Sequence, residues 1–330
     1  MKIVCYGVRD TEKPFFENIN SKFGYELVLI KELLTHENIE TAKGCQAVML
    51  RANCVTDKIN LDKFKEYGVE YVLTRTVGTN HIDINYAKEL GFKMARVPFY
   101  SPNAVGELAV ALGTGLMRNT FYMAEQMRKK NFRADDFMFA QEIRNSVVGI
   151  IGTGRIGVTV AQAFKGMGAK VLGYDPYPNK ANESILEYVT LDELLKQSDM
   201  VSLHTPYIPN QNFEMVNKEF LSKMKKGSVL VNAARGELIN HKDLLDAIKS
   251  NHLKGAALDT LQNETEIFYK TFGESSLPKG VYADMYELYP RIIFTPHIGS
   301  YTDEAVTNMI EISLENLKEF IETGECKNTF

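Results

Sequence analysis

The stretch Val147-Val148-Gly149-Ile150-Ile151-Gly152-Thr153-Gly154-Arg155-Ile156-Gly157 decides the fold. Its first five residues are apolar and rich in β-branched side chains, the composition of a strand buried on both faces. Gly-x-Gly-x-x-Gly follows, and helical spacing of apolar residues takes over from Val158 to Met167. A second apolar run, 170–174, then ends at Asp175. In such a unit Gly152 allows the tight turn and Gly154 lets backbone approach a pyrophosphate. Gly157 lets helix pack on strand, and Arg155 and Ile156 open a helix whose N–H groups face the anion. The glycines alone say little, because the chain has 23. The order strand, turn, helix, strand, acid supplies the specificity. Asp175 is placed to accept hydrogen bonds from the adenine ribose and would repel a 2′-phosphate, so NAD is the expected cofactor.

Downstream, further strands read at 200–203, 229–232, 255–258 and 292–294. Upstream, strands at 2–7, 26–31, 47–50 and 71–74 alternate with helical segments at 14–23, 38–43 and 61–66. Strands alternating with helices predict parallel sheets covered on both faces. Pro98 and Pro102 break the first series, and a helix over 103–118 carries an apolar stripe of Val105, Leu108, Ala109, Leu112 and Leu116. Gly106, Gly113 and Gly115 each cost that helix about 1 kcal/mol against alanine. The expected return is close helix approach, within the fold or across a subunit interface. A polar, basic stretch covers 128–133, and the second series starts near Ser146. The last segment, 303–321, is a strongly periodic helix with Thr302 as its expected N-cap.

At 330 residues the chain exceeds what one core usually serves, so two domains are expected. Composition is ordinary for a globular protein, 45% hydrophobic and 24% charged. A net charge of −4 offers no footprint for nucleic acid or an anionic membrane. No apolar run approaches the ~20 residues of a membrane span, and the first residues turn charged too soon for a signal peptide. Cys5, Cys45, Cys54 and Cys326 are widely spaced, and the six histidines show no ligand spacing, so no metal is expected. A cytoplasmic protein with reduced thiols is the expectation.

Three segments follow strands of the second series, where ligands of open α/β sheets bind. They are His204-Thr205-Pro206, Asn232-Ala233-Ala234-Arg235-Gly236, and Asp259 followed by Glu264; Pro296-His297 closes the series. With Arg75-Thr76-Val77-Gly78-Thr79-Asn80-His81-Ile82-Asp83 and Tyr100-Ser101-Pro102-Asn103-Ala104, these motifs resemble, in order and over nearly the whole length, the D-2-hydroxyacid dehydrogenase family.

The resemblance implies two doubly wound α/β domains: a Rossmann-type cofactor domain, 101–299, inserted in a flavodoxin-like substrate domain, 1–100 with 300–330. It implies Arg235, Glu264 and His297 as the catalytic set. The chemistry of 2-oxo acid reduction agrees, since it needs a guanidinium for the carboxylate and ketone and a proton donor active near neutrality. A carboxylate beside the imidazole fixes the ring and favours its charged form. The resemblance further implies that Val77 and Gly78 bind the substrate carboxylate through backbone N–H groups, and that Asp259 meets the nicotinamide carboxamide. It places Ala233, Ala234, His204, Thr205 and Pro206 near the cofactor, and Tyr100, Tyr301 and Arg75 near the substrate. His81 is expected to be structural. A homodimer through the 103–118 helix is also implied, supported in the sequence only by its small residues.

Two positions depart from the lactate-type pattern. Arg51 follows the strand at 47–50 where uncharged residues are usual, and Ser300 replaces a bulky aromatic before Tyr301. A cation and a smaller wall suit a second carboxylate, and the pattern resembles the (R)-2-hydroxyglutarate dehydrogenases. The expected substrate is therefore 2-oxoglutarate. D-lactate and 2-hydroxyisocaproate types stand as alternatives, and an NAD-sensing co-repressor-like module is the competing class.

Overall fold

The computed structural model describes residues 1–273 and 275–330. The chain divides into two compact units, Met1–Ser101 with Tyr301–Phe330, and Pro102–Ser300.

The first unit is built on a five-stranded sheet of β1 (Lys2–Cys5), β2 (Glu26–Leu29), β3 (Ala47–Leu50), β4 (Tyr71–Thr74) and β5 (Lys93–Arg96). All pairings are parallel, in the order β2-β1-β3-β4-β5. This is the flavodoxin-like order, and strand direction of winding reverses between β1 and β3. Its helices are α1 (Lys13–Asn20), α2 (Lys58–Glu66) and α3 (Ile84–Glu89). Asp57 and Asp83 cap α2 and α3 by accepting the N–H of Asn60 and Tyr86.

The second unit opens with α4 (Pro102–Met117) and α5 (Thr120–Arg128). Its strands are β6 (Val147–Ile151), β7 (Lys170–Tyr174), β8 (Glu187–Tyr188), β9 (Met200–Leu203), β10 (Val229–Asn232), β11 (Gly255–Leu258) and β12 (Ile292–Phe294). They form one parallel sheet in the order β12-β11-β10-β9-β6-β7-β8. Here winding reverses between β6 and β9, the dinucleotide-binding arrangement. The helices α6 (Arg155–Gly166), α7 (Leu191–Gln197), α8 (Lys218–Lys223), α9 (His241–Lys249) and α10 (Val281–Tyr286) complete the unit. Residues of β9 to β11 are buried throughout, at about 1.5–3 kcal/mol for each large apolar side chain removed from water.

The last helix, α11 (Asp303–Thr323), belongs to the first unit and packs on α1, β4 and β5. Thr302 accepts the N–H of Ala305, and Gly324 ends the helix at φ 83°.

Several elements differ from the sequence reading. The first strand stops at Cys5, because Gly7 turns the chain at φ 68°. The first helix ends at Asn20 rather than 23. α3, β5, α5 and β8 were absent from the expected pattern; β5 is a four-residue edge strand with only Met94 and Ala95 buried between Lys93 and Arg96, and it lacks the apolar run of a central strand. The glycines of α4 are used inside their own unit. A Cβ at Gly106 would stand 3.0 Å from Thr159, at Gly113 2.5 Å from Met200, and at Gly115 2.5 Å from Phe121. They therefore do not speak for a subunit interface.

Candidate active site

The turn after β6 is shaped by three glycines with different tasks. Gly152 sits at φ 88°, and a Cβ there would lie 2.6 Å from the carbonyl carbon of His204. A Cβ at Gly157 would lie 2.0 Å from the Gly152 carbonyl oxygen, so the first turn of α6 presses directly on the loop. At Gly154 the space is open, with nothing within 4 Å. Gly154 also serves as N-cap of α6 without a side-chain cap, leaving Arg155, Ile156 and Gly157 to begin the helix. An open face and a helix start uncapped by side chains fit the pyrophosphate of a dinucleotide.

Asp175, just past β7, braces this turn. Its carboxylate accepts the N–H of Thr153 at 2.8 Å, the Thr153 hydroxyl at 3.2 Å and the N–H of Tyr177 at 2.9 Å. His204 directly follows β9; its ring Nε2 meets the Ser202 hydroxyl at 2.8 Å and its buried Nδ1 has no partner. Burial lowers its pKa to about 4, so the ring is neutral at pH 7. Thr205 and Pro206 continue the same loop, and Ala233 and Ala234 stand at the end of β10.

Arg235 follows them, its Nη1 donating to the Ala234 carbonyl at 2.7 Å. The Asn232 side chain ties both ends of this bend, accepting from the Ala234 N–H at 3.0 Å and donating to the Arg235 carbonyl at 2.8 Å. Gly236 then packs beneath the loop after β11: a Cβ there would lie 2.0 Å from the Leu261 carbonyl carbon and 2.3 Å from the Gln262 nitrogen. That loop carries Glu264. Its Oε1 accepts from His297 Nδ1 at 2.7 Å, with side chains 12% and 29% exposed. The sequence separates these residues by a strand, a helix and a long loop; the sheet brings them together.

His297 itself occupies the left-handed region, φ 50°, which a β-carbon makes unfavourable by about 1–3 kcal/mol. Asp259 sustains it. Its carboxylate, 1% exposed, accepts the Thr295 hydroxyl at 2.6 Å and the N–H groups of Ile298 at 3.0 Å and Gly299 at 2.9 Å. Desolvation raises the Asp259 pKa, and these donors work against the rise.

In the first unit, Arg51 follows β3 with Nη1 3.5 Å from the Gly7 carbonyl oxygen. Arg75, after β4, is turned inward. It is 1% exposed, donates to the carbonyls of Tyr6 and Gly7 at 3.2 and 3.3 Å, and lies 3.7 Å from buried Glu12. The carbonyls of Gly78 and Val77 are held by Thr76 and Arg96 at 2.6 and 3.0 Å, and among the described residues their N–H groups meet no acceptor. The Tyr100 carbonyl accepts from Asn308 at 3.0 Å. Tyr301 meets the Thr11 hydroxyl and lies under the Arg9 guanidinium, 3.9 Å from its ring centroid. Sequence reading passed over Arg9, which sits in a charged run without a motif. Ser300 closes the second unit. His81 meets the Thr74 hydroxyl at 3.1 Å, and burial takes its pKa to about 4. Among the described residues no group of His, Cys, Asp and Glu could hold a metal ion, and no helix is long and apolar enough to cross a membrane.

Residues 110–299, more than half of the chain, match the family model of the D-isomer specific 2-hydroxyacid dehydrogenase NAD-binding domain. The chain belongs to this family. It is 40% identical to a D-lactate dehydrogenase of Lactiplantibacillus plantarum, covering 99% of this chain and 98% of the relative. An aromatic 2-oxoacid reductase of Clostridium sporogenes is 39% identical over the same shares. Among solved structures, a D-lactate dehydrogenase from Treponema pallidum superposes with a TM-score of 0.89 at 36% identity, covering 100% of this chain and 99% of that one. The dehydrogenase is thus an oxidoreductase acting on a CH–OH group, with NAD as its cofactor.

Proposed function

We propose that this dehydrogenase reduces 2-oxoglutarate to (R)-2-hydroxyglutarate, with Arg235, Glu264 and His297 as catalytic residues. The observation that carries the chemistry is the 2.7 Å contact between His297 Nδ1 and Glu264. It orients the ring with Nε2 as the proton donor to the forming alkoxide, and the carboxylate stabilises the imidazolium before transfer. Arg235, at the end of β10, holds the 2-oxo acid and polarises its carbonyl. The open N–H groups of Val77 and Gly78 supply donors for the near carboxylate, with Tyr100 and Tyr301 as neighbours. The hydride comes from NADH when it is bound. The Gly152–Gly157 turn holds its pyrophosphate, Asp175 its ribose, and His204, Thr205, Pro206, Ala233, Ala234 and Asp259 border it.

Arg51 is assigned the distal carboxylate. Supporting this, it leaves β3 beside the Gly7 turn of β1, at the reversal point of its own sheet, where ligands of such sheets bind. Arg75, which is buried against Glu12, serves as a brace for that turn. The test is kcat/KM for 2-oxoglutarate, pyruvate and an aromatic 2-oxo acid in wild type and Arg51→Ala. A wild type that favours pyruvate or the aromatic acid, with a ranking untouched by Arg51→Ala, ends the dicarboxylate reading. NADH oxidation that ignores every added oxo acid would instead favour an NAD sensor.

A homodimer and a cytoplasmic location belong to the same reading. Phe132, Phe137 and Phe139 are 76, 75 and 87% exposed after α5, which suits burial against a second copy. A monomeric sedimentation coefficient at micromolar concentration would rule this out. The four cysteines are free and buried, as suits a reducing compartment.

A further inference from the structure

Tyr282 opens no known motif, yet it is built into the support of Glu264. Its ring is 9% exposed and stands edge-on to His241, centroids 5.2 Å apart and planes at 83°. Its hydroxyl donates to the Gln262 carbonyl at 2.5 Å. Gln262 lies two residues before Glu264 and rests on Gly236, where no Cβ would fit. Asn263 then takes the left-handed conformation at φ 52°, and the Glu264 carbonyl accepts the N–H groups of Ile267 at 3.0 Å and Phe268 at 2.7 Å. The backbone that launches the Glu264 side chain is therefore clamped from below by Gly236 and from α10 by one phenolic hydroxyl.

We infer that Tyr282 is a positioning residue for the reaction: through the Gln262 carbonyl it sets the reach of Glu264 to His297. The inference rests on the proposed roles of that pair. A charge-assisted hydrogen bond at 2.7 Å weakens steeply with displacement, so a loop drift of a few tenths of an ångström loosens the ring. Removing the hydroxyl leaves the Gln262 carbonyl without its donor and permits that drift. Other charged groups surround the pair: Asp259, which interacts with His297, and Glu237 and Glu266, which with Glu264 face the Tyr282 hydroxyl. Arg235 adjoins through Gly236. Burial first, then Glu266 and Glu237, push the Tyr282 pKa up, so the hydroxyl remains a donor across the working range.

The experiment compares wild type, Tyr282→Phe, Glu264→Gln and the double variant. Each is assayed for NADH affinity by fluorescence, for kcat, and for the pH at which oxo-acid reduction falls off on the alkaline side. Tyr282→Phe is expected to keep NADH affinity, lower kcat about tenfold and move the alkaline fall-off to lower pH, the direction of Glu264→Gln. In the Glu264→Gln background the added phenylalanine should move the fall-off no further. A fall-off at the wild-type pH in Tyr282→Phe, beside a shifted one in Glu264→Gln, overturns the positioning role alone. Additive shifts in the double variant overturn it too, because Tyr282 would then act by another route. If Glu264→Gln itself leaves the fall-off in place, the histidine–glutamate pair is not the proton donor and both readings go.

Discussion

A Cβ at Gly157 would stand 2.0 Å from the carbonyl oxygen of Gly152, whereas one at Gly154, between them, would meet nothing within 4 Å. The folded chain thus requires one motif glycine and leaves open space at the other, where the proposed pyrophosphate site lies.

Gly154→Ala should therefore leave the melting temperature of the cofactor-free protein within about a degree, while raising the Kd for NADH roughly tenfold, or about 1.4 kcal/mol. Gly157→Ala should lower the melting temperature before any cofactor is added. Thermal scans with and without NADH separate the two; equal destabilisation by both would contradict the distinction.

Gly236→Ala tests the floor of the Glu264 loop. A methyl group 2.0 Å from the Leu261 carbonyl carbon cannot be relieved by rotating a side chain, because the obstacle is backbone. We expect a loss of roughly 1–3 kcal/mol in urea unfolding, together with a fall in kcat that exceeds any change in KM.

His297→Ala removes the proposed proton donor. Turnover should fall about 10²–10⁴-fold with NADH affinity unchanged. Parallel losses in turnover and binding would show that the residue supports the loop and takes no part in the chemistry.

Three histidines, His241 buried and His81 and His204 partly buried, give a stability prediction. Burial lowers the pKa of His81, His204 and His241 from 6.5 to about 4. Between these values the unfolded chain binds the protons and the folded one does not, so stability falls as pH drops from 6.5 toward 4. Each residue contributes on the order of 3 kcal/mol to that loss. His241→Phe, which keeps the contact with Tyr282, should flatten the dependence of urea midpoints on pH over this window.

How much of this was visible in the sequence depended on whether the governing interaction was local. Val147–Ile151 and the following glycines declare a parallel α/β unit, because the buried strand, the turn at Gly152 and the start of α6 follow one another directly in the chain. Edge elements were not legible: β8 is two residues long, and β5 has only the pair Met94-Ala95 between the charged Lys93 and Arg96. Nor could sequence tell that Arg75 turns inward while Arg9 stays at the surface. Both approach Glu12, but the carbonyls of Tyr6 and Gly7 and the Phe16 ring, 5.0 Å from its guanidinium, draw Arg75 inward. The Tyr282 contact left no trace at all, since its acceptor is a main-chain carbonyl that any residue at position 262 would supply.

The return of α11 to β4 and β5 has a consequence for synthesis. Asn316 donates to the Arg96 carbonyl at 2.9 Å, the Arg96 N–H donates to the Asn328 carbonyl at 3.1 Å, and Thr329 bridges Ala95. The sheet translated first therefore waits, with its edge uncovered, until everything from Pro102 to Ser300 has left the ribosome. In order of completion, the inserted unit comes first and the unit holding the N-terminus comes last.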